Sequence, residues 1–381
     1  MEFFPVYQLF DIMPVQGRGC YLYTEDGQRY LDFYGGHGVI SIGHSHPRWI
    51  SALVEQAQSL PFYSNSVRNP LHEPLLEAMA RVSGMTHYQL FLCNSGAEAN
   101  ENALKLASFH TGKRRVLAFE GGFHGRTSAA IQVTDLCQAK APLNSGIEVT
   151  FLPLNDIGLV VAQLRKGDVA AVIIEGIQGI GGVQVPAKAF LQELSAACRQ
   201  YGAVLILDEV QSGFGRSGQF FAFGHAAIEP NLVTMAKGMG NGFPVGGVLV
   251  HPDFEARPGL LGTTFGGNHM ALAVVTAVLE VIEQEQLISH AAQIGQYLIN
   301  ELRIMRGVRS VRGRGLMIGI ELESEAAPVR RDLLFTHRIF TGSAAPANVL
   351  RLLPPLSAGL AEAHYFLDSL QQVLTSKKVY S

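Results

Sequence analysis

Two short apolar runs in this chain each end in a side chain suited to chemistry. Residues 203–207, Ala-Val-Leu-Ile-Leu, are too few for a helix and rich in branched side chains, which predicts a strand buried on both faces. The run closes on the acidic pair Asp208 and Glu209. Residues 232–236, Leu-Val-Thr-Met-Ala, form a second run that ends in Lys237 and then in Gly238, Gly240 and Gly242. Open α/β sheets bind ligands at the carboxyl ends of their parallel strands, so the pattern predicts an acid and an amine at one rim of one sheet. Either residue alone has a plainer role, since an aspartate at a strand end often caps a helix and a lysine there reaches water. Together they suit one chemistry. A lysine amine forms a Schiff base with a carbonyl cofactor, and an aspartate paired with the pyridinium nitrogen of pyridoxal phosphate keeps that ring an electron sink.

Other strand-and-loop segments supply what such a site needs. Residues 88–92 read as a strand, followed by Asn94-Ser95-Gly96-Ala97-Glu98-Ala99-Asn100 and a helical run over 102–109. Ser95 with Glu98 is a capping box, which by itself accounts for both residues. A glycine in that first turn also lets an anion approach free backbone N–H groups at the positive end of the helix dipole. Residues 115–119 form another strand and run into Gly-Gly-Phe-His-Gly-Arg-Thr at 121–127. There Phe123 is either ordinary core or a flat face for a stacked ring. Arg126 offers a planar fork suited to a carboxylate. Residues 168–174 repeat the pattern of a buried strand closed by an acid, Glu175. His44 and His46 have no third ligand at a supporting spacing, so no metal is expected.

The elements around these segments follow from the same reading. Residues 17–33 alternate about Asp26-Gly27 and predict a β-hairpin. Strand and helix patterns alternate from about residue 50 to 255, which indicates a βα-type sheet. Helical patterns follow at 271–285 and 291–305. Arg312-Gly313-Arg314-Gly315 lacks the GxGxxG spacing and precedes a strand, so it is no dinucleotide loop. The 381 residues suffice for a large domain plus a smaller one, and a net charge of −3 gives no footprint for nucleic acid or an anionic membrane. Four scattered cysteines, Cys20, Cys93, Cys137 and Cys198, fit a reducing compartment. The first residues lack the basic and apolar regions of a signal peptide, and a cytoplasmic location is expected.

The segments DEVQSGFGRSG (208–218) and AKGMGNGFPVGG (236–247) resemble the signature of the class III, fold type I, pyridoxal-phosphate-dependent aminotransferases, and the resemblance runs through nearly the whole chain. It is strongest toward the enzymes acting on acetylornithine and succinylornithine. What it implies is an α/β fold with a mostly parallel central sheet flanked by helices. Its expected parts are an N-terminal segment (1–48), a large cofactor domain (49–270) and a smaller α+β C-terminal domain (271–381). It implies pyridoxal 5'-phosphate as the cofactor, held by Lys237, with Asp208 on the ring nitrogen and Gln211 on the phenolic oxygen. Phe123 would stack on the ring, Glu175 would lie beside the cofactor, and Ser95, Gly96 and Ala97 would hold its phosphate. In TTFGGN (263–268), Thr264 would reach the partner's phosphate across a homodimer interface that shares the active sites, with Thr263 near the substrate. Arg126 would bind the donor α-carboxylate. His37 replaces the tyrosine of free-ornithine relatives, either touching substrate or lying exposed in its loop. Arg351 corresponds to a distal arginine usually paired with a glutamate, which is Ile180 here. That replacement predicts an Arg351 open to a carboxylate throughout the cycle. The implied reaction moves the δ-amino group of an Nα-acylated ornithine to 2-oxoglutarate, within arginine biosynthesis. Ornithine, 4-aminobutyrate and lysine-type donors, or a mutase of the same fold, stay open as alternatives.

Overall fold

The computed structural model describes residues 1–376, apart from the side chain of Cys137. Its first strands, β1 (Pro14–Arg18), β2 (Tyr21–Thr24) and β3 (Arg29–Asp32), form an antiparallel meander. The Asp26-Gly27 pair makes the β2–β3 turn, where Gly27 takes a φ of 79° open to a residue without Cβ.

Seven strands build the central sheet: β4 (Gln89–Cys93), β5 (Arg115–Phe119), β6 (Val149–Leu152), β7 (Val169–Glu175), β8 (Val204–Asp208), β9 (Leu232–Met235) and β10 (Gly246–Val250). They lie in the order β4-β10-β9-β8-β7-β5-β6. Strands β5 to β9 pair in parallel, and β10 runs against both neighbours, β4 and β9. The alternating βα pattern of the sequence does not reveal that reversal. The central strands β7 and β8 are buried at every position, as their near-continuous apolar sequences require. Register places Glu175 opposite Asp208 and Asp208 opposite Thr234, so both acids leave the sheet side by side at one rim.

The C-terminal part contributes β11 (Val308–Arg314), β12 (Met317–Leu322), β13 (Ile339–Phe340), β14 (Gly342–Ser343) and β15 (Val349–Leu352). Four of these form a sheet ordered β11-β12-β15-β14, and residues 312–319 lie in its hairpin. Strand β13 instead joins β3 in parallel and so ties both ends of the chain into one sheet. The expected boundary between the large domain and the C-terminal domain, at 270/271, falls in the first turn of the helix His269–Gln284, which packs on the helices Pro47–Ser59 and His72–Ser83. Cys20, Cys93 and Cys198 are free and buried, and burial pushes their thiols up to about 12. Among the described residues no helix is long and apolar enough to cross a membrane.

Candidate active site

The rim where β7, β8 and β9 end carries Glu175, Asp208 and, two residues past β9, Lys237. Lys237 holds a φ of 46°, a left-handed conformation that a lysine adopts only under constraint from its surroundings. Its amine has no hydrogen-bond partner among the described residues. Burial pushes its ammonium below the usual range, against the pull of the Asp208 and Glu175 carboxylates, and Arg351 lowers it further.

Asp208 is held from three sides. Its Oδ2 accepts from His124 Nδ1 at 2.7 Å and from Asn100 Nδ2 at 2.8 Å, and its Oδ1 accepts from Val210 N at 3.0 Å. Thr234 Oγ1 donates to Asn100 Oδ1 at 2.7 Å and completes the network. Sequence reasoning missed His124 and Asn100 as partners of Asp208. The contacts span 84 and 108 residues of chain, although both residues stand inside the motifs already quoted. Glu175 accepts from Phe123 N at 3.0 Å and from Gly179 N at 2.9 Å. Burial raises its carboxyl more strongly than His124 and these two donors lower it.

A cavity of 460 Å³ opens at this rim. It brings together Lys237, Asp208, Glu175, Gln211, Phe123, Arg126, His37 and Arg351, with Gly96 and Ala97 at one wall. Those two residues begin the helix Gly96–Thr111, and Ser95 caps it by accepting from Glu98 N at 3.2 Å. The return half of the expected capping box is displaced, because the Glu98 carboxylate accepts from Asn94 N at 2.8 Å. A Cβ at Gly96 would stand 2.7 Å from Val210, so only glycine lets the helix start this close to the end of β8. The set fits pyridoxal phosphate: the unpartnered, half-buried amine of Lys237, a fixed carboxylate and the first-turn backbone at Gly96 and Ala97 line one cavity.

Arg126 is exposed at the mouth. His37, at φ 71°, packs its ring 4.8 Å from that of Tyr34, and partial burial followed by Arg351 and Lys237 holds its imidazole below the usual range. Arg351 is buried, and among the described residues no carboxylate pairs with it. It donates instead to Tyr34 Oη at 3.0 Å, to Ser343 O and, at 3.5 Å, to Gln211 Oε1. Tyr34 is a site residue that sequence reasoning missed. Ile180 lines the cavity beside it.

Two threonines lie elsewhere. Thr263 Oγ1 accepts from Gly266 N at 3.0 Å and faces a separate cavity of 370 Å³, while Thr264 is exposed. His44 and His46 pair with different carboxylates, Asp32 at 2.8 Å and Glu285 at 2.9 Å, and do not converge.

Comparison with known proteins gives a consistent picture. The family profile described as Aminotransferase class-III matches residues 5–374. The chain is 38% identical over 379 residues to the acetylornithine aminotransferase of Bacillus subtilis (strain 168), with 97% of each chain covered. It is 37% identical over 372 residues to the acetylornithine aminotransferase of Methanopyrus kandleri, covering 97% of this chain and 95% of that one. Among solved structures, the ornithine aminotransferase of Toxoplasma gondii crystallised with oxidised glutathione, described as having partial occupancy of PLP at its active site, superposes with a TM-score of 0.90 at 29% identity. That match covers 97% of this chain and 92% of the other.

Proposed function

The chain belongs to the class III aminotransferases, which depend on pyridoxal phosphate, and from that premise we propose that it transfers the δ-amino group of an Nα-acylated ornithine to 2-oxoglutarate. The products are the corresponding aldehyde and glutamate, and the step belongs to arginine biosynthesis. The observation that carries this reading is the meeting of Lys237, Asp208 and two arginines at one cavity, joined to the names of the relatives.

Bound pyridoxal phosphate supplies an electron sink that makes the carbon bearing the amino group acidic. Lys237 would hold that group through its amine, whose ammonium form burial disfavours. With the donor in place, the freed Lys237 Nζ would be the base that takes the proton from the donor's δ-carbon. Asp208, fixed by His124 and Asn100, would hold the ring nitrogen. Gln211 would reach the phenolic oxygen, Phe123 would cover the ring against water, and Glu175 would stand beside the cofactor. Ser95, Gly96 and Ala97 receive the phosphate. Arg126 grips the donor α-carboxylate, with His37 in the same cavity, whereas Thr263 faces a separate cavity of its own chain. Arg351, whose present partners are all neutral, receives a carboxylate of the acceptor. The working unit is a cytoplasmic homodimer in which Thr264 serves the partner's phosphate.

A spectral titration tests the reading. N-acetylornithine, N-succinylornithine, ornithine and 4-aminobutyrate are each added to the cofactor-loaded protein while the cofactor absorbance is followed. One acylated ornithine should bleach the band fastest, 2-oxoglutarate should restore it, and Lys237→Ala should show neither change. A faster response to ornithine or 4-aminobutyrate, or product formation without 2-oxoglutarate, would replace the donor or the reaction type.

A further inference from the structure

We propose that His87, Glu229 and His251 form a transition-metal site, suited to Zn²⁺, on the rim of the central sheet opposite Lys237. Strand register brings them together. Gln89 of β4 pairs with Val250 of β10, and Val250 pairs with Leu232 of β9. His87 stands two residues before Gln89, His251 directly follows Val250, and Glu229 stands three residues before Leu232. Because β10 runs against its neighbours, its end lies beside the beginnings of the other two strands. Lys237 follows the other end of β9, five residues beyond Leu232 and about 16 Å away at the usual rise of a strand.

The ligand atoms converge. Glu229 Oε1 lies 2.7 Å from His87 Nε2 and 3.7 Å from His251 Nε2, and all three ligand atoms fall within 4.8 Å of one another. A tetrahedral zinc ion bound at about 2.0–2.1 Å spaces its ligand atoms about 3.3 Å apart, between the two values found here. The surroundings orient the same atoms. Asp253 holds the far side of the His251 ring: its N donates to Nδ1 at 3.3 Å and its carboxylate stands 3.1 Å from the same nitrogen, which turns Nε2 toward Glu229. The Tyr88 ring packs 4.9 Å from His87 and 5.4 Å from His251. Its hydroxyl donates to Pro230 O at 2.5 Å, fixing the residue next to Glu229. His251 N donates to Asn231 O at 2.9 Å. A simple exposed ion pair between His87 and Glu229 has no use for a second imidazole held by its own carboxylate. Two imidazoles and one carboxylate, with water at a fourth position, match zinc rather than the all-oxygen shells of magnesium or calcium. A bound ion would join the ends of three adjacent strands without touching the catalytic rim.

The test uses the cofactor-loaded enzyme, treated with EDTA, incubated with Zn²⁺ and desalted. The wild type should retain one zinc per chain. His87→Ala and His251→Ala should each weaken binding at least about a hundredfold, and Asp253→Ala about tenfold, with aminotransferase activity kept in all three. Co²⁺ added to the wild type should give the visible bands of a tetrahedral ion. No retained zinc, equal retention by both histidine variants, or a six-coordinate Co²⁺ spectrum overturns the proposal.

Discussion

At the scale of single residues, the site was half legible. Asp208 and Lys237 each end an apolar run, so strand-end position pointed to them, whereas Ser95, Gly96, Phe123 and Arg126 stand in loops that follow strands and took their expected roles from the family resemblance. Tyr34 was not legible, because its contact with Arg351 spans 317 residues and a tyrosine beside glycines signals nothing by itself. The neutral partners of Arg351 carry a prediction. An arginine that gives up a phenol hydroxyl loses less than one that gives up a carboxylate, since no counter-charge is left stranded in the cavity. Ile180→Glu should supply that carboxylate. The half-reaction with 2-oxoglutarate should slow about tenfold, the equivalent of about 1.4 kcal/mol, while the donor half-reaction keeps its rate. Single-turnover kinetics of the two halves checks this, and an unchanged acceptor step would remove Arg351 from acceptor binding.

At the scale of elements, the second acid of the Asp208-Glu209 pair works for the fold. Glu209 is fully buried and accepts from Ser212 Oγ at 2.7 Å, Ala222 N at 3.0 Å and Phe223 N at 3.0 Å, which pins the loop after β8. A Cβ on Gly176 would collide with its Oε1, so the glycine after β7 makes room for it. Burial raises the Glu209 carboxyl to about 7, above its ordinary 4.5, against those three donors. The folded chain therefore binds a proton more readily than the unfolded one. Its contribution to stability is complete below pH 4.5, declines as the pH rises toward 7, and is level above that, a loss of about 3 kcal/mol. Glu209→Gln should flatten this slope, whatever its absolute stability. Urea denaturation of both proteins at pH 5 and pH 8 measures the difference, and parallel profiles would show that Glu209 does not titrate in this window. The strands were legible from their apolar runs, whereas the direction of β10 was not. Its sequence, Gly-Gly-Val-Leu-Val, would serve either orientation.

At the scale of the whole molecule, exposed apolar residues mark where a second copy fits the proposed homodimer. Phe265 and Phe62 are 59% and 38% exposed with ring centroids 5.4 Å apart, and Phe265 adjoins the exposed Thr264. Phe265→Asp should convert a particle of twice 41.2 kDa into one of 41.2 kDa by sedimentation equilibrium, with loss of bound cofactor. A variant that stays dimeric would move the interface elsewhere. Long-range assembly is also what the sequence hid most completely: His87, Glu229 and His251 are neighbours only through strand register. The pairing of β3 with β13 has a consequence in time. During synthesis, residues 29–32 leave the ribosome some 300 residues before Ile339 and Phe340, an interval of about 15–60 s at usual elongation rates. Tyr34 likewise waits for Arg351. The Tyr34–Arg351 wall of the site is thus completed among the last parts to emerge, so a prematurely terminated product holds Lys237 without Arg351.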